Sequence, residues 1–232
     1  MRIKIFMLLV AGLLGTGLGL CLASDSPSAA TEEPPTKDPV LEEVLAQVQA
    51  RYAGPGFAAW FFQESTLKAM EITDTASGRI FIKRPDKMRW EYDTPERQTI
   101  ITDGVQLWMY RPEDKQVMVG QAPTFFGDGK GAAFLADMQS IRDNFAITLA
   151  DTNDPQTYRL KLIPVKPQTG LTDVYLSISK ATHQVVEVVT HNEYEDETRI
   201  ELTNAQFDQD FDDALFRFET PAGVDVLQLD EK

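Results

Sequence analysis

The sequence predicts a mainly β protein, built on a single large curved antiparallel sheet of about eleven strands with few helices. Three observations lead there. Short alternating runs rich in Val, Ile, Thr and aromatic residues succeed one another from Phe57 to Phe207. Turn signals separate them, clearest at Asp74 to Gly78, Asp103-Gly104 and Arg111 to Asp114. The stretch Gly78 to Asp93 reads as two strands joined at Pro85-Asp86 and sorts its residues by face. Strand side chains alternate sides, so Ile80 and Ile82 share a face with Arg84 next on it. Met88, Trp90 and Tyr92 share a face of the second strand, while Arg89, Glu91 and Asp93 point the other way. A guanidinium therefore stands at the end of an apolar stripe that includes a large aromatic. Such a face needs a cover, and the reading is that the cover moves and the cargo is lipid.

Residues 1–23 read as a secretory signal peptide. Arg2 and Lys4 form the basic start, Ile5 to Leu20 is apolar or small, and Cys21-Leu22-Ala23 allows cleavage before Ser24 or Asp25. A retained anchor helix is the alternative, but the run is short for a span. Lipidation of Cys21, the sole cysteine, is another; Leu20 stands where bacterial lipoprotein signals carry Gly, Ala or Ser. With Cys21 removed, the mature chain has no thiol. The expected compartment is the periplasm of a Gram-negative bacterium. Residues 24–37, rich in Ser, Ala, Thr, Glu and Pro, read as a flexible leader, and residues 38–232 as one domain.

That domain opens with a helix. Asp38 is its N-cap and Pro39 its first residue. Val40, Leu41, Val44, Leu45, Val48 and Tyr52 recur at helical spacing, with Glu42, Glu43, Gln47 and Gln49 opposite, until Gly54-Pro55-Gly56 ends it. Strands are expected at Phe57–Ile72, Gly78–Arg84, Met88–Asp93, Gln98–Thr102, Val105–Arg111 and Gln116–Gly120. The meander breaks at Ala122. A glycine-punctuated run from Pro123 to Gly131 leads into a short helix at Ala132 to Met138, with Phe134, Leu135 and Met138 on one side. Flanking glycines suit a hinged lid; a fixed packing helix is the alternative. Strands resume at Phe145–Ala150, Tyr158–Ile163, Val174–Ser179, Val185–Glu193 and Thr198–Phe207. Asp212 to Phe216 is a helical turn, and Phe218 to Val226, broken by Pro221 and Gly223, finishes the chain.

The net charge of −14 disfavours nucleic acid and anionic membrane as direct partners and suits a soluble monomer. No catalytic constellation stands out. The two histidines, His183 and His191, form no metal motif, and Gly127 to Gly131 lacks the phosphate-loop pattern. Glu193 to Glu197 lacks calcium-loop spacing and reads as a solvated turn. The residues favour a binder over an enzyme, with no cofactor and no metal.

In order along the chain stand Phe57-x-Ala59-x-Phe61-x-Gln63; Gly78-x-Ile80-x-Ile82-Lys83-Arg84-Pro85 with Arg89-Trp90; and Asp103-Gly104-x-x-Leu107-Trp108-x-Tyr110-x-Pro112 with Gln116. Arg199, Ala214-x-Phe216-x-Phe218 and Pro221-x-Gly223-Val224 follow. In this order the chain from Leu41 to Val226 resembles the family of periplasmic outer-membrane lipoprotein carriers, LolA. The resemblance implies an unclosed antiparallel β-barrel with helices forming a lid over an apolar cavity. It implies acylated lipoproteins as cargo, taken from the inner-membrane ABC transporter LolCDE and passed to the outer-membrane receptor LolB where one is present. It makes Arg84 the latch that bonds lid-helix backbone, and assigns Ile80, Ile82, Met88, Trp90, Phe134 and Leu135 to the acyl-chain cavity and lid. The family's second lid region often carries a Pro-Phe-x-Leu-Leu run; here Phe134 and Leu135 stand in for it. The alternatives are an outer-membrane-anchored receptor of the same fold, which needs a lipidated Cys21, a general periplasmic lipid-binding protein, and an unrelated hydrolase or glycan-binding β protein with a carboxylate-lined cavity.

Overall fold

The computed structural model describes residues 38–122, 141–168 and 170–229. Helix α1 (Pro39–Arg51) starts as its sequence requires: the Asp38 carboxylate accepts the N–H groups of Val40 at 2.9 Å and Leu41 at 3.4 Å, and Pro39 occupies the first turn. Its stripe of Val44, Leu45, Val48 and Tyr52 is buried, whereas Val40 is exposed.

Twelve strands form one sheet: β1 (Gly56–Leu67), β2 (Ile72–Lys83), β3 (Lys87–Thr94), β4 (Gln98–Thr102), β5 (Gln106–Arg111), β6 (Gln116–Gln121), β7 (Phe145–Ala150), β8 (Thr157–Pro164), β9 (Asp173–Ser179), β10 (Val185–His191), β11 (Glu197–Phe207) and β12 (Asp225–Gln228). The order is β12-β6-β5-β4-β3-β2-β1-β11-β10-β9-β8-β7, and the two end strands do not pair, so the sheet is unclosed. From β1 the chain meanders to β6. It then passes to β7 at the opposite end and meanders back until β11 pairs with β1. The expected helix at Ala132 to Met138, with Phe134 and Leu135, lies outside the described residues, as do the signal, the leader and Cys21. The one-turn helix α2 (Ile141–Asn144) precedes β7.

Two expectations need correcting. The first hairpin does not turn at Asp74 to Gly78. It turns at Lys68–Met70, with Glu71 at φ 53°, and β2 runs unbroken through the expected turn. The β-branched Ile72, Thr73 and Thr75 hold the strand extended, and Thr73 bonds Thr66 across the hairpin at 2.9 Å. Gly78 serves close approach instead: a Cβ there would lie 1.8 Å from the Glu91 carbonyl oxygen and 3.0 Å from the Phe61 ring. The second correction is at the C-terminus. The chain does not merely trail off after Phe218, because β12 pairs with β6 in parallel and brings the strand count to twelve.

The core lies on the inner face. Phe57, Ala59 and Phe61 of β1, Ile80 and Ile82 of β2, and Met88 and Trp90 of β3 form one cluster with Leu160, Val174, Leu176, Val188 and Ile200 from the other half. The α1 stripe belongs to the same cluster, so the helix lies on this face. On the outer face, the chain after β11 crosses β2–β6 as a strap. Phe211 packs against Phe81, Phe216 is fully buried in a 3₁₀ turn (Asp213–Phe216), and Phe218 meets Tyr110.

Candidate functional site

The register of β1–β3 assembles the site. Ile80 stands opposite Trp90, and Ile82 opposite Met88. On the other side of β2, Ala59 faces Ile80 and Phe57 faces Ile82. All are at most 5% exposed. Trp90 sits in an aromatic group with Phe61 at 4.7 Å and Tyr92 at 6.1 Å between centroids, its indole N–H directed at the Met88 sulfur 2.9 Å away. The Tyr92 hydroxyl donates to Gln63 Oε1 at 3.2 Å, and burial pushes its phenol above the ordinary value.

Arg84 ends this stripe. Its Nε donates to the carbonyl of Gly54 at 3.0 Å, and its backbone N–H donates to the carbonyl of Pro55 at 2.9 Å. Both acceptors lie in the short loop that follows α1, so the strand end and the helix end are tied together. The structure thus brings Ile80, Ile82, Met88 and Trp90 into one core with the α1 stripe, with Arg84 tied to the loop after α1.

Three further contacts hold the helix and had no signal in the sequence. Tyr52 stands edge-on to Phe57 and Phe207, and its oxygen accepts the Val185 N–H at 3.2 Å. Its burial raises the phenol strongly. The Arg51 guanidinium lies 4.0 Å over the Phe207 ring. Glu42 receives Arg142 of α2 on both carboxylate oxygens, at 3.1 and 3.0 Å. That clasp joins residues a hundred positions apart, and no local pattern announces it.

The outer face of the same strands is ionic. Asp213 receives Lys87 at 2.7 Å and Lys83 at 2.9 Å, and these ammoniums lower its carboxyl to about 2. Lys83 also donates to the Phe211 carbonyl, and Arg89 to that of Leu215 at 3.2 Å. The C-terminal strap is therefore pinned by β2 and β3.

A separate groove of about 490 Å³ at the hairpin ends of β9–β11 is polar, lined by Lys68, Asp173, His191, Asn192, Glu195 and Glu197 among others. His191 is held there at both ring nitrogens, by Asp173 at 2.7 Å and Glu197 at 3.3 Å. Among the described residues no three His, Cys, Asp or Glu side chains converge as a metal site. The candidate site is an apolar stripe buried within the core.

Comparison with known proteins gives the same direction. The family model described as "Outer membrane lipoprotein carrier protein LolA" matches residues 55–219. An outer-membrane lipoprotein carrier protein of Nitrosomonas europaea is 31% identical over 172 residues, covering 74% of this chain and 82% of the relative. One of Methylococcus capsulatus is 29% identical over 153 residues, covering 66% and 72%. Among solved structures, an uncharacterized conserved protein from Thermus thermophilus shares the fold, with a TM-score of 0.53 and 13% identity over 82% of this chain and 99% of that one.

Proposed function

Since the chain belongs to the LolA family of outer membrane lipoprotein carrier proteins, we propose that it is a periplasmic, non-enzymatic chaperone that ferries acylated lipoproteins to the outer membrane. On this reading it loads from an inner-membrane ABC transporter of the LolCDE type and unloads to a receptor such as LolB. The acyl chains occupy an apolar cavity over Ile80, Ile82, Met88 and Trp90, opened when α1 lifts away. The observation that carries the reading is the buried apolar stripe that shares one core with α1, the helix whose following loop is bonded to Arg84.

The magnitudes are consistent. Lifting α1 re-exposes Val44, Leu45 and Val48, at roughly 1.5–3 kcal/mol each. An acyl chain of about fifteen methylenes regains roughly 12 kcal/mol on leaving water. One chain therefore offsets the opening, and the closed form returns once cargo departs. The Arg84 bond to Gly54, worth about 1 kcal/mol net, biases the balance toward closure and so toward release.

The test is Arg84→Leu. Purified from the periplasm, the variant should carry more bound lipoprotein than the parent and pass it to the receptor about tenfold more slowly. Transfer at the parental rate would remove Arg84 from the mechanism. Failure of the parent itself to copurify with lipoprotein, or to accept it from the transporter, would remove the carrier reading.

A further inference from the structure

The run from Phe57 to Phe62 is apolar at every position, the pattern of a strand covered on both faces. Its inner residues Phe57, Ala59 and Phe61 are buried in the core. On the outer face Trp60 is 46% exposed and Phe62 43%, although β1 lies in the middle of the sheet. The strap reaches the neighbouring Phe81 through Phe211, but these two rings remain open to solvent. Trp60 faces Arg79 across the β1–β2 pair, with the guanidinium 5.5 Å from its ring. Phe62 faces Glu201 across the β1–β11 pair, and Glu64 is next on the same side of β1. Neither the Glu64 nor the Glu201 side chain has a hydrogen bond or ion pair among the described residues, although Arg199 stands opposite Glu64. Arg79, by contrast, is already held by Glu91 at 2.9 Å.

The charges select among occupants. A second copy could offer these carboxylates only Arg79 and Arg199, cations of the same face already engaged by Glu91 and Glu187. An anionic lipid surface would meet free carboxylates on a chain of net charge −14. A segment carrying basic groups beside apolar ones satisfies both features, since the cation engages the carboxylates and the aromatic faces while the apolar side chains cover the rings. We propose that the outer face of β1, centred on Trp60 and Phe62 and rimmed by Glu64 and Glu201, docks a polypeptide that presents alternating apolar and basic side chains. This goes beyond the carrier reading and does not depend on it. The surface is on the opposite side of the sheet from α1, so docking leaves the cover free to move.

The probe is a capped octapeptide of alternating leucine and arginine, titrated calorimetrically into the whole protein, with a leucine–glutamate peptide as control. The arginine peptide should bind, and the glutamate peptide should not. Binding should weaken about tenfold or more in the Trp60→Thr/Phe62→Thr variant and about threefold in Glu64→Gln/Glu201→Gln. Threonine keeps the strand propensity of both positions. Should that variant fail to fold, the charge swap Glu64→Lys/Glu201→Lys decides, because it should transfer preference to the glutamate peptide. Unchanged affinity in these variants would show only diffuse attraction to an acidic chain and would overturn the proposal. Two other results would also overturn it. Dimerisation lost in the threonine variant would assign the face to a second copy. Cosedimentation with phosphatidylethanolamine–phosphatidylglycerol vesicles, lost in the same variant, would assign it to lipid.

Discussion

Lys83 and Arg84 are neighbours in the chain, yet they serve opposite sides of the sheet. Arg84 bonds a neutral carbonyl in the loop behind α1, the inner cover. Lys83, with Lys87, grips the carboxylate of Asp213 in the outer strap, where Phe216 is buried completely. The inner cover otherwise rests on apolar packing, the Tyr52–Val185 bond, the Arg51 guanidinium over Phe207 and the partly exposed Glu42–Arg142 clasp. The difference is one of what can replace each contact. Hydrocarbon can substitute for the side chains of α1, because packing is non-directional. Hydrocarbon cannot substitute for a carboxylate between two ammoniums. The packing contacts of α1 are of a kind that hydrocarbon can replace, and the ionic contacts of the strap are not.

The comparison breaks most visibly at the strap. Phe216→Ala should cost about 3–5 kcal/mol of global stability in urea unfolding, as expected for emptying a fully enclosed aromatic site. A loss below about 1 kcal/mol would mean that the strap is no more fixed than the helix. Leu45→Ala sharpens the contrast from the other side. It should cost about 2 kcal/mol, and hydrogen exchange should quicken in α1 ahead of the sheet. Equal acceleration throughout the sheet would show that helix and sheet open only together. The smallest effect belongs to Asp213→Asn. Lys87 and Lys83 hold the Asp213 carboxyl at about 2, below its ordinary 3.8. A lowered folded value gives stability that is complete above a pH of about 4 and lost as pH falls toward about 2. The variant should therefore melt slightly below the parent at neutral pH, and the gap should close in acid. Solvent screening of this exposed group keeps the effect small, and a gap that widened in acid would reverse the assignment.

Much of this is legible in the sequence, because strands announce themselves through alternation. Ile80, Ile82, Met88 and Trp90 share the inner face as their spacing requires, and Asp38-Pro39 begins α1. The misreading at Asp74 to Gly78 shows the limit. Asp and Gly are turn residues by local preference, but Gly78 is there for the Glu91 carbonyl and the Phe61 ring that crowd it, contacts settled by pairing between strands. Long-range partners are the least legible. Nothing near Arg142 points to Glu42, and nothing near Asp213 points to Lys83. The strap also escapes a reading by segments because its signs lie on other strands: Ile101 and Val117 are buried on the outer face, where alternation alone would leave them wet. At the candidate site, Arg84 stands out in the sequence as the charge that closes an apolar stripe. Tyr52 reads there as one more helix-face residue, and its bond to Val185 becomes visible only in three dimensions.

Parallel pairing of β12 with β6 has one more effect. Main-chain bonds run from Asp225 to Lys115 and from Leu229 to Val119, each 2.8 Å long. An open sheet border offers unused donors and acceptors to any extended segment, including the same segment of an identical molecule. Here the chain's own tail takes that berth. The border then passes to a strand of four residues, a shorter template for fibre growth than the six-residue strand it covers.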